Sequence, residues 1–448
     1  MTLRIHLSLA VCAVIGFVAP AEAGTRIDRV RSPGGVEAWL VEDHSVPVVS
    51  LRVIFRGGAA LDPADKLGLA NMTASLLDEG AGPLDAQAFQ RQMEDLSISL
   101  SFGDGLDTFG GSLKTLSVNK DTAFDLFRLA MTEPRFDAEA VERIRSGILA
   151  RIWRSAADPD YLAGRLWWSR AFPEHPYGRP SNGTLETVSR IDQADLKGFV
   201  ARRLARGTMY IGVVGDITPA ELAPVLDRVF GALPTQAAPY ALPAVEPRAA
   251  GTIAVIERPV PQSVVLFGES GIKRSDPDFY TAFLMNHILG GGSFSSRLYQ
   301  EVREKKGLAY SIGTYLYPLD WSPLILGSVA TQNARVGESI ALIRQEWGRM
   351  ASGGVTDEEL SAAKDYLTGS YVLQFDNNDK IARLLVSIQL DELGIDYIDK
   401  RNSYLQAVTR ADIARVAKRL LDAKSLSFSV VGQPAGLPST AVKIPGIE

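Results

Sequence analysis

The sequence predicts an α+β protein made of two duplicated halves, each a mixed or antiparallel sheet with helices packed on it. The first observation behind this is an internal repeat. "YIGVVGDIT" (210–218) resembles "SFSVVGQPA" (427–435), which sets Val213 and Val430 217 positions apart. "IDQADLKGFVARRL" from Ile191 and "VTRADIARVAKRLL" from Val408 repeat that offset, "FDAEAV" (136–141) matches "VTDEEL" (355–360) at 219, and "LDP" at 61 matches "SDP" at 275 at 214. Each match is weak alone, but four in order at nearly one offset mark a duplication. The second observation is element order. Each half opens on strands, continues in helices and closes on a strand running into VVG, the pattern of helices laid on an open sheet. The third is the Pro/Ala-rich stretch "ALPTQAAPYALPAVEPRAAG" (232–251), whose four prolines suit an extended linker.

In chain order, residues 1–23 read as a cleaved export leader. Arg4 supplies a positive charge, "LSLAVCAVIGFVA" an apolar run too short to span a bilayer, and Ala21–Ala23 a small-x-small cleavage site. The leader holds Cys12, the chain's single cysteine, so the mature protein has no disulfide, thiol nucleophile or thiolate metal site. A periplasmic location is expected. The N-terminal half, 24–231, carries strands "VEAWLVED" and "VVSLRVIF", then helices "AFDLFRLAM" and "ADLKGFVARRL". After the linker the C-terminal half, 252–448, carries "QSVVLFGES", then "ESIALIRQEWGRM" and "ADIARVAKRLL". With 46% hydrophobic and 22% charged residues the 448-residue chain is globular, and it is long enough for two to four domains. A net charge of −5 with no basic block gives no nucleic-acid footprint, and no later segment reads as a membrane span.

The chemistry is sparse. Of four histidines, His44, His175 and His287 remain after the leader, none near another histidine or beside a glutamate at helical spacing. A zinc enzyme needs about three protein ligands and an open position. There is no G-x-S-x-G elbow and no G-x-x-x-x-G-K-[ST] loop. "LGGGSFSSRLYQ" (289–300) reads as a tight turn capped by Ser293 or Ser295, and "DNNDK" (376–380) as a capped, solvated loop. "KLGLANMTASLLDEG" (66–80) reads as an amphipathic helix with Leu69, Met72, Thr73 and Leu76 on one face and Asn71, Ala74, Ser75 and Asp78 on the other. In "EVREKKGLAYSIG" (301–313) a charged helix ends at Gly307 and a strand follows, so that Arg303 and Tyr310 bracket the turn. They read either as a solvated Arg and a strand Tyr, or as a guanidinium and a phenol aimed at one carbonyl or oxyanion.

At these residues the chain resembles the pitrilysin-type metallopeptidases, the inverted zincins that include mitochondrial processing peptidase. "LGGGSFSSRLYQEVREKKGLAYSIGT" is close to that group's C-terminal-half signature. "DPDYL", "FPEHPYGRP", "GTLETVSRI" and "VVGDIT" are close to its N-terminal-half pattern, and the likeness covers nearly all of 28–435. The resemblance implies a clamshell of two duplicated halves. Active members carry H-x-x-E-H after a "GLA"-like lead-in. Here "GLA" (68–70) is followed by "NMTAS", which puts Asn71 and Ser75 at the ligand positions and Ala74 at the base. The third ligand, a glutamate in active members, falls near Ala150 or Arg151. The chain is therefore expected to hold no zinc itself. The resemblance also implies that Arg303 and Tyr310 hold substrate at the scissile bond, and that some bacterial relatives divide the labour between two chains. The function expected is the non-catalytic subunit of a heterodimeric zinc peptidase, inactive alone. It would give Arg303 and Tyr310 in trans to a homologous zinc-bearing partner that degrades unfolded peptides. The alternative is a catalytically dead scaffold or peptide-binding protein in a larger exported complex.

Overall fold

Strands alternate in burial where one face meets a core. In Val48–Arg56, Val49, Leu51, Val53 and Phe55 are buried while Arg52, Ile54 and Arg56 are only half-buried. The computed structural model describes residues 26–440, and the predicted leader with Cys12 lies outside them. Among the described residues the first sheet contains β1 (Asp28–Arg31), β2 (Glu37–Glu42), β3 (Val48–Arg56), β4 (Ser99–Asp104), β5 (Thr108–Leu116) and β6 (Met209–Gly215), in the order β1-β2-β6-β3-β5-β4. The second contains β7 (Ile253–Glu257), β8 (Gln262–Ser270), β9 (Ala309–Tyr317), β10 (Leu324–Gln332) and β11 (Ser427–Gly432), in the order β7-β11-β8-β10-β9.

Without β1 the two orders are identical. In each sheet the last strand of the half inserts between the first two, parallel to one and antiparallel to the other. Val213 faces Leu40 and Leu51, and Val430 faces Val255 and Val265. The repeat seen as "VVG" is thus the central strand of each sheet. One face of the first sheet packs under Phe124, Phe127, Leu196, Phe199 and Phe230, from helices Lys120–Thr132, Gln193–Arg203 and Pro219–Phe230. The matching face of the second packs under Ile340, Ile343, Trp347, Ile413 and Val416, from Val336–Gly353 and Arg410–Leu420. Thr218, Thr356 and Thr409 close their helices with reciprocal capping boxes.

The other faces are covered by exchange. Helix Asn378–Leu390, from the second half of the chain, lies on β3 and β6 of the first sheet. Its Ala382, Leu385 and Ile388 pack against Trp39, Val41 and Val214. Helix Pro159–Ala171, from the first half, lies on β8 and β11, with Leu162, Ala163 and Leu166 against Ala254 and Val431. The two helices start 219 positions apart and end 219 apart, the offset already present in the repeat. A fully buried leucine or isoleucine contributes about 1.5–3 kcal/mol, so the exchange ties the halves together well beyond the Pro-rich stretch. That stretch, 232–251, forms no helix or strand. It bonds to both halves, Ala238 N–H donating to the Arg202 carbonyl (2.9 Å) and Val245 N–H to that of Trp321 (3.0 Å). A polar clasp adds to this. Asp107 accepts from the Tyr177 hydroxyl (2.7 and 2.8 Å) and from the Asp320 N–H (3.0 Å).

The helix expected over 66–80 is shorter, Leu69–Ala74. The Thr73 hydroxyl donates to the Leu69 carbonyl (2.8 Å) and the Ser75 hydroxyl to that of Asn71 (2.9 Å), a back-bonding that weakens a helix. Gly80, at φ 103°, then turns the chain away. No described helix is long and apolar enough to cross a membrane.

Candidate functional site

Helix Leu69–Ala74 is seated by its core face, with Leu69, Met72, Thr73 and Leu76 all buried. Its first turn is fixed by Asp62, whose buried carboxyl accepts the N–H groups of Gly68 (3.1 Å) and Ala70 (3.1 Å). Burial pushes this carboxyl up to about 8, against the pull of those backbone donors. The seating presents Asn71, Ala74 and Ser75 at the places where the resemblance puts two ligands and a base.

What fills those places is a hydrogen-bonded string. The Asn71 amide Nδ2 donates to Asp104 Oδ1 (3.1 Å), and its Oδ1 accepts from Arg151 Nη2 (3.0 Å). Burial raises the Asp104 carboxyl, while Asn71 and the Arg151 charge pull it back. Ala74 is a buried methyl, and the Ser75 hydroxyl is spent on the Asn71 carbonyl. Of Ala150 and Arg151, one meets the Asn71 side chain. It is Arg151, on helix Ala138–Ser155, that reaches Asn71. These residues do not fit a zinc ion. One donor is a neutral amide oxygen, the hydroxyl is engaged, and the third side chain is a cation that repels a second one. Among the described residues no group of three or more His, Cys, Asp or Glu is placed to hold a metal. Beside Asp104 lies a cavity of about 280 Å³, on the face of β3, β4 and β5 that carries Arg52, Ser101 and Ser112.

The histidines have local roles. His44 pairs with Asp216 (2.6 Å), which raises its pKa, and with Glu42 (3.4 Å). His175 accepts from the Tyr177 N–H (3.2 Å), and His287 stacks on Tyr366 with ring centres 5.3 Å apart.

In the second half Arg303 and Tyr310 come together. Residues Tyr299–Lys305 form a π-helix that ends at Gly307, φ 58°, where the Gly307 N–H returns to the Arg303 carbonyl (2.9 Å). The next strand, β9, is bulged at its start. Ile312 faces Val329 and Ala309 faces Thr331, so Tyr310 and Ser311 share one place opposite Ala330. Such a bulge re-aims a side chain, and Tyr310 is 78% exposed. The Arg303 guanidinium carbon lies 5.1 Å from the Tyr310 ring centre, 4.7 Å from that of Tyr299 and 5.8 Å from that of Phe294. These are cation–π distances. The one ion pair of Arg303 among the described residues is with adjacent Glu304, at 3.8 Å.

Phe294 and Tyr299 were missed as parts of this cluster, although both stand in the Gly-rich stretch. The expected cap by Ser293 or Ser295 is confined to the turn, where the Ser295 hydroxyl donates to the Gly292 carbonyl (3.0 Å), and neither serine caps the following helix. The glycines serve close approach, since a Cβ on Gly290 would stand 2.5 Å from the Thr314 hydroxyl on β9. Buried Arg297 anchors the stretch through two 2.6 Å bonds to Glu359. In "DNNDK", Asn377 caps its helix as expected, and Asp379, still exposed, accepts from Ser50 (2.7 Å) on the first sheet.

The chain is similar to known proteins along most of its length. Residues 190–367 match the family described as Peptidase M16 inactive domain. Along 428 residues, 95% of this chain and 97% of the relative, the sequence is 26% identical to the non-peptidase homolog YmxG of Helicobacter pylori. It is 27% identical over 356 residues to an uncharacterized zinc protease of Streptomyces coelicolor, covering 75% of this chain and 76% of that one. A crystal structure of a peptidase M16 inactive domain from Pseudomonas fluorescens superposes with a TM-score of 0.86 at 27% identity, covering 93% of this chain and all (100%) of that one.

Proposed function

We propose that this chain, a pitrilysin-type (M16) protein without the H-x-x-E-H motif, is the non-catalytic subunit of a two-chain zinc peptidase. The observation that carries the proposal is a contrast. The ligand helix is refilled by Asn71 and the Arg151 cation at 3.0 Å, whereas Arg303 and Tyr310 stand 5.1 Å apart with Tyr310 facing solvent. A guanidinium and a phenol so placed can hold a peptide carbonyl and the oxyanion that forms from it. Zinc and the general base would come from a homologous partner, and the substrate would be an unfolded peptide. The leader puts the complex in the periplasm.

The test is to purify this chain and its zinc-bearing homologue, assay each alone and then mixed on a quenched peptide. Activity is expected to depend on both. Full activity of the zinc-bearing chain alone would overturn the proposal in favour of a scaffold.

A further inference from the structure

One cavity between the halves is not used by the site above. It measures about 290 Å³, its walls are Tyr161, Trp168 and Tyr177 of the first half and Tyr317 of β9, and its cations are Arg165 and Arg179. Arg165 is 7% exposed. Its Nη2 donates to the Gly178 carbonyl (2.7 Å), and among the described residues its Nε has no partner and no carboxylate pairs with its charge. Asp107, the acid bonded to the Tyr177 hydroxyl, is already taken by that hydroxyl and by the Asp320 N–H. A buried guanidinium without a counter-ion is costly to keep, and an arginine fork matches a carboxylate in shape and charge.

The cavity adjoins the helix Leu69–Ala74 and stands at the far end of the strand that carries Tyr310, roughly 20 Å from it at the rise of an extended chain. Asn182 lines it and packs on Gly68 at the head of the emptied helix, where a Cβ would stand 2.8 Å from the Asn182 carbonyl oxygen. Tyr317 ends the strand at whose start Tyr310 is bulged. At about 30 Å³ per water the space equals roughly ten waters, enough for one large residue and not for a folded segment.

We infer that this cavity receives the C-terminal residue of a bound peptide, its apolar or aromatic side chain against Tyr161, Trp168 and Tyr317 and its terminal carboxylate on Arg165 and Arg179. An internal Asp or Glu would satisfy the cations and leave the aromatic wall unused, whereas a C-terminal residue carries both features on one α-carbon. The inference rests on the peptide-binding reading above.

The test uses the mature chain and fluorescence anisotropy with a labelled decapeptide ending in Phe, made as the free acid and as the amide. N-acetyl-phenylalanine serves as competitor. The free acid is expected to bind about tenfold tighter or more, and the competitor to displace it. Arg165→Met should erase the preference at an unchanged circular dichroism spectrum. Arg179→Gln, at a half-buried position that the fold does not lean on, should reduce it. Equal binding of acid and amide overturns this inference alone. Binding of neither peptide overturns the peptide-binding reading with it. If N-acetyl-phenylalanine protects the chain against thermal unfolding while the peptide acid does not bind, the ligand is a small aryl carboxylate and the peptide assignment fails.

Discussion

Asn71 and Arg151 show why the absence of a metal motif is more than a missing histidine. A histidine exchanged for a small residue leaves a gap that water or another donor can fill. Here a cation is bonded to the Asn71 amide, at the position where the resemblance puts the first ligand, with Asp104 on the amide's other side. The wild-type chain is therefore expected to take up no stoichiometric zinc. The variant Asn71→His/Ala74→Glu/Ser75→His/Arg151→Glu is expected to bind one zinc per chain by elemental analysis after dialysis; an equally metal-free variant would show that the helix is no longer placed as a ligand platform. Arg303→Ala or Tyr310→Phe is expected to lower turnover of the mixed complex by roughly 10²-fold, the scale of one lost oxyanion donor. Unchanged kinetics would make the pair structural. A further residue governs pH dependence. Glu269 is buried, accepts from the Trp347 indole N–H and the Asp422 N–H, and is pushed by burial up to about 8. The unfolded chain releases this proton near the ordinary glutamate value of 4.5 while the folded chain keeps it. Between those values the unfolded state binds fewer protons, so stability falls as pH rises from 4.5 to about 8. Asp62 acts in the same direction. Melting temperatures from pH 5 to 8 should fall for the wild type and fall less for Glu269→Gln. Parallel curves would remove Glu269 from the account.

At the scale of elements, the exchanged helices decide the fold's cohesion. Gly212 on β6 is the contact point, because a Cβ there would stand 2.8 Å from the Ala382 carbonyl oxygen and 2.9 Å from the Leu385 Cβ. Gly212→Val should lift helix Asn378–Leu390 from the first sheet and cost about 1–3 kcal/mol in urea unfolding, the usual range for overpacking. A variant as stable as the wild type would mean that the helix sits loosely. The β9 bulge is the other decisive element. A regular strand would keep strict alternation and return Tyr310 to the packed face shared by Ile312. Neither feature was legible in advance. The helix "NDKIARLLVSIQL" looks amphipathic wherever its apolar face is buried, and a bulge is a matter of pairing register that a single strand does not carry.

For the whole molecule, the duplication extends from strand order to the exchanged helices. An obligate partner should bury upwards of about 2,000 Å² in total, which sedimentation of the mixed chains would reveal as a stable 1:1 species. The repeat and the Val213 and Val430 strands were readable as text, because each depends on residue type and spacing, and the same text supplies Asn71, Ala74, Ser75, Arg303 and Tyr310 to the proposal. What the text could not give was which of Ala150 and Arg151 meets Asn71, that Phe294 and Tyr299 flank Arg303, and that each half covers the other's sheet. Those are contacts between residues far apart in the chain. Burial and the geometry of hydrogen bonds and rings select them, and these exist only once the chain has folded. The sequence thus determined which residue types stand at which spacing, and the tertiary structure decided where their charges and rings meet.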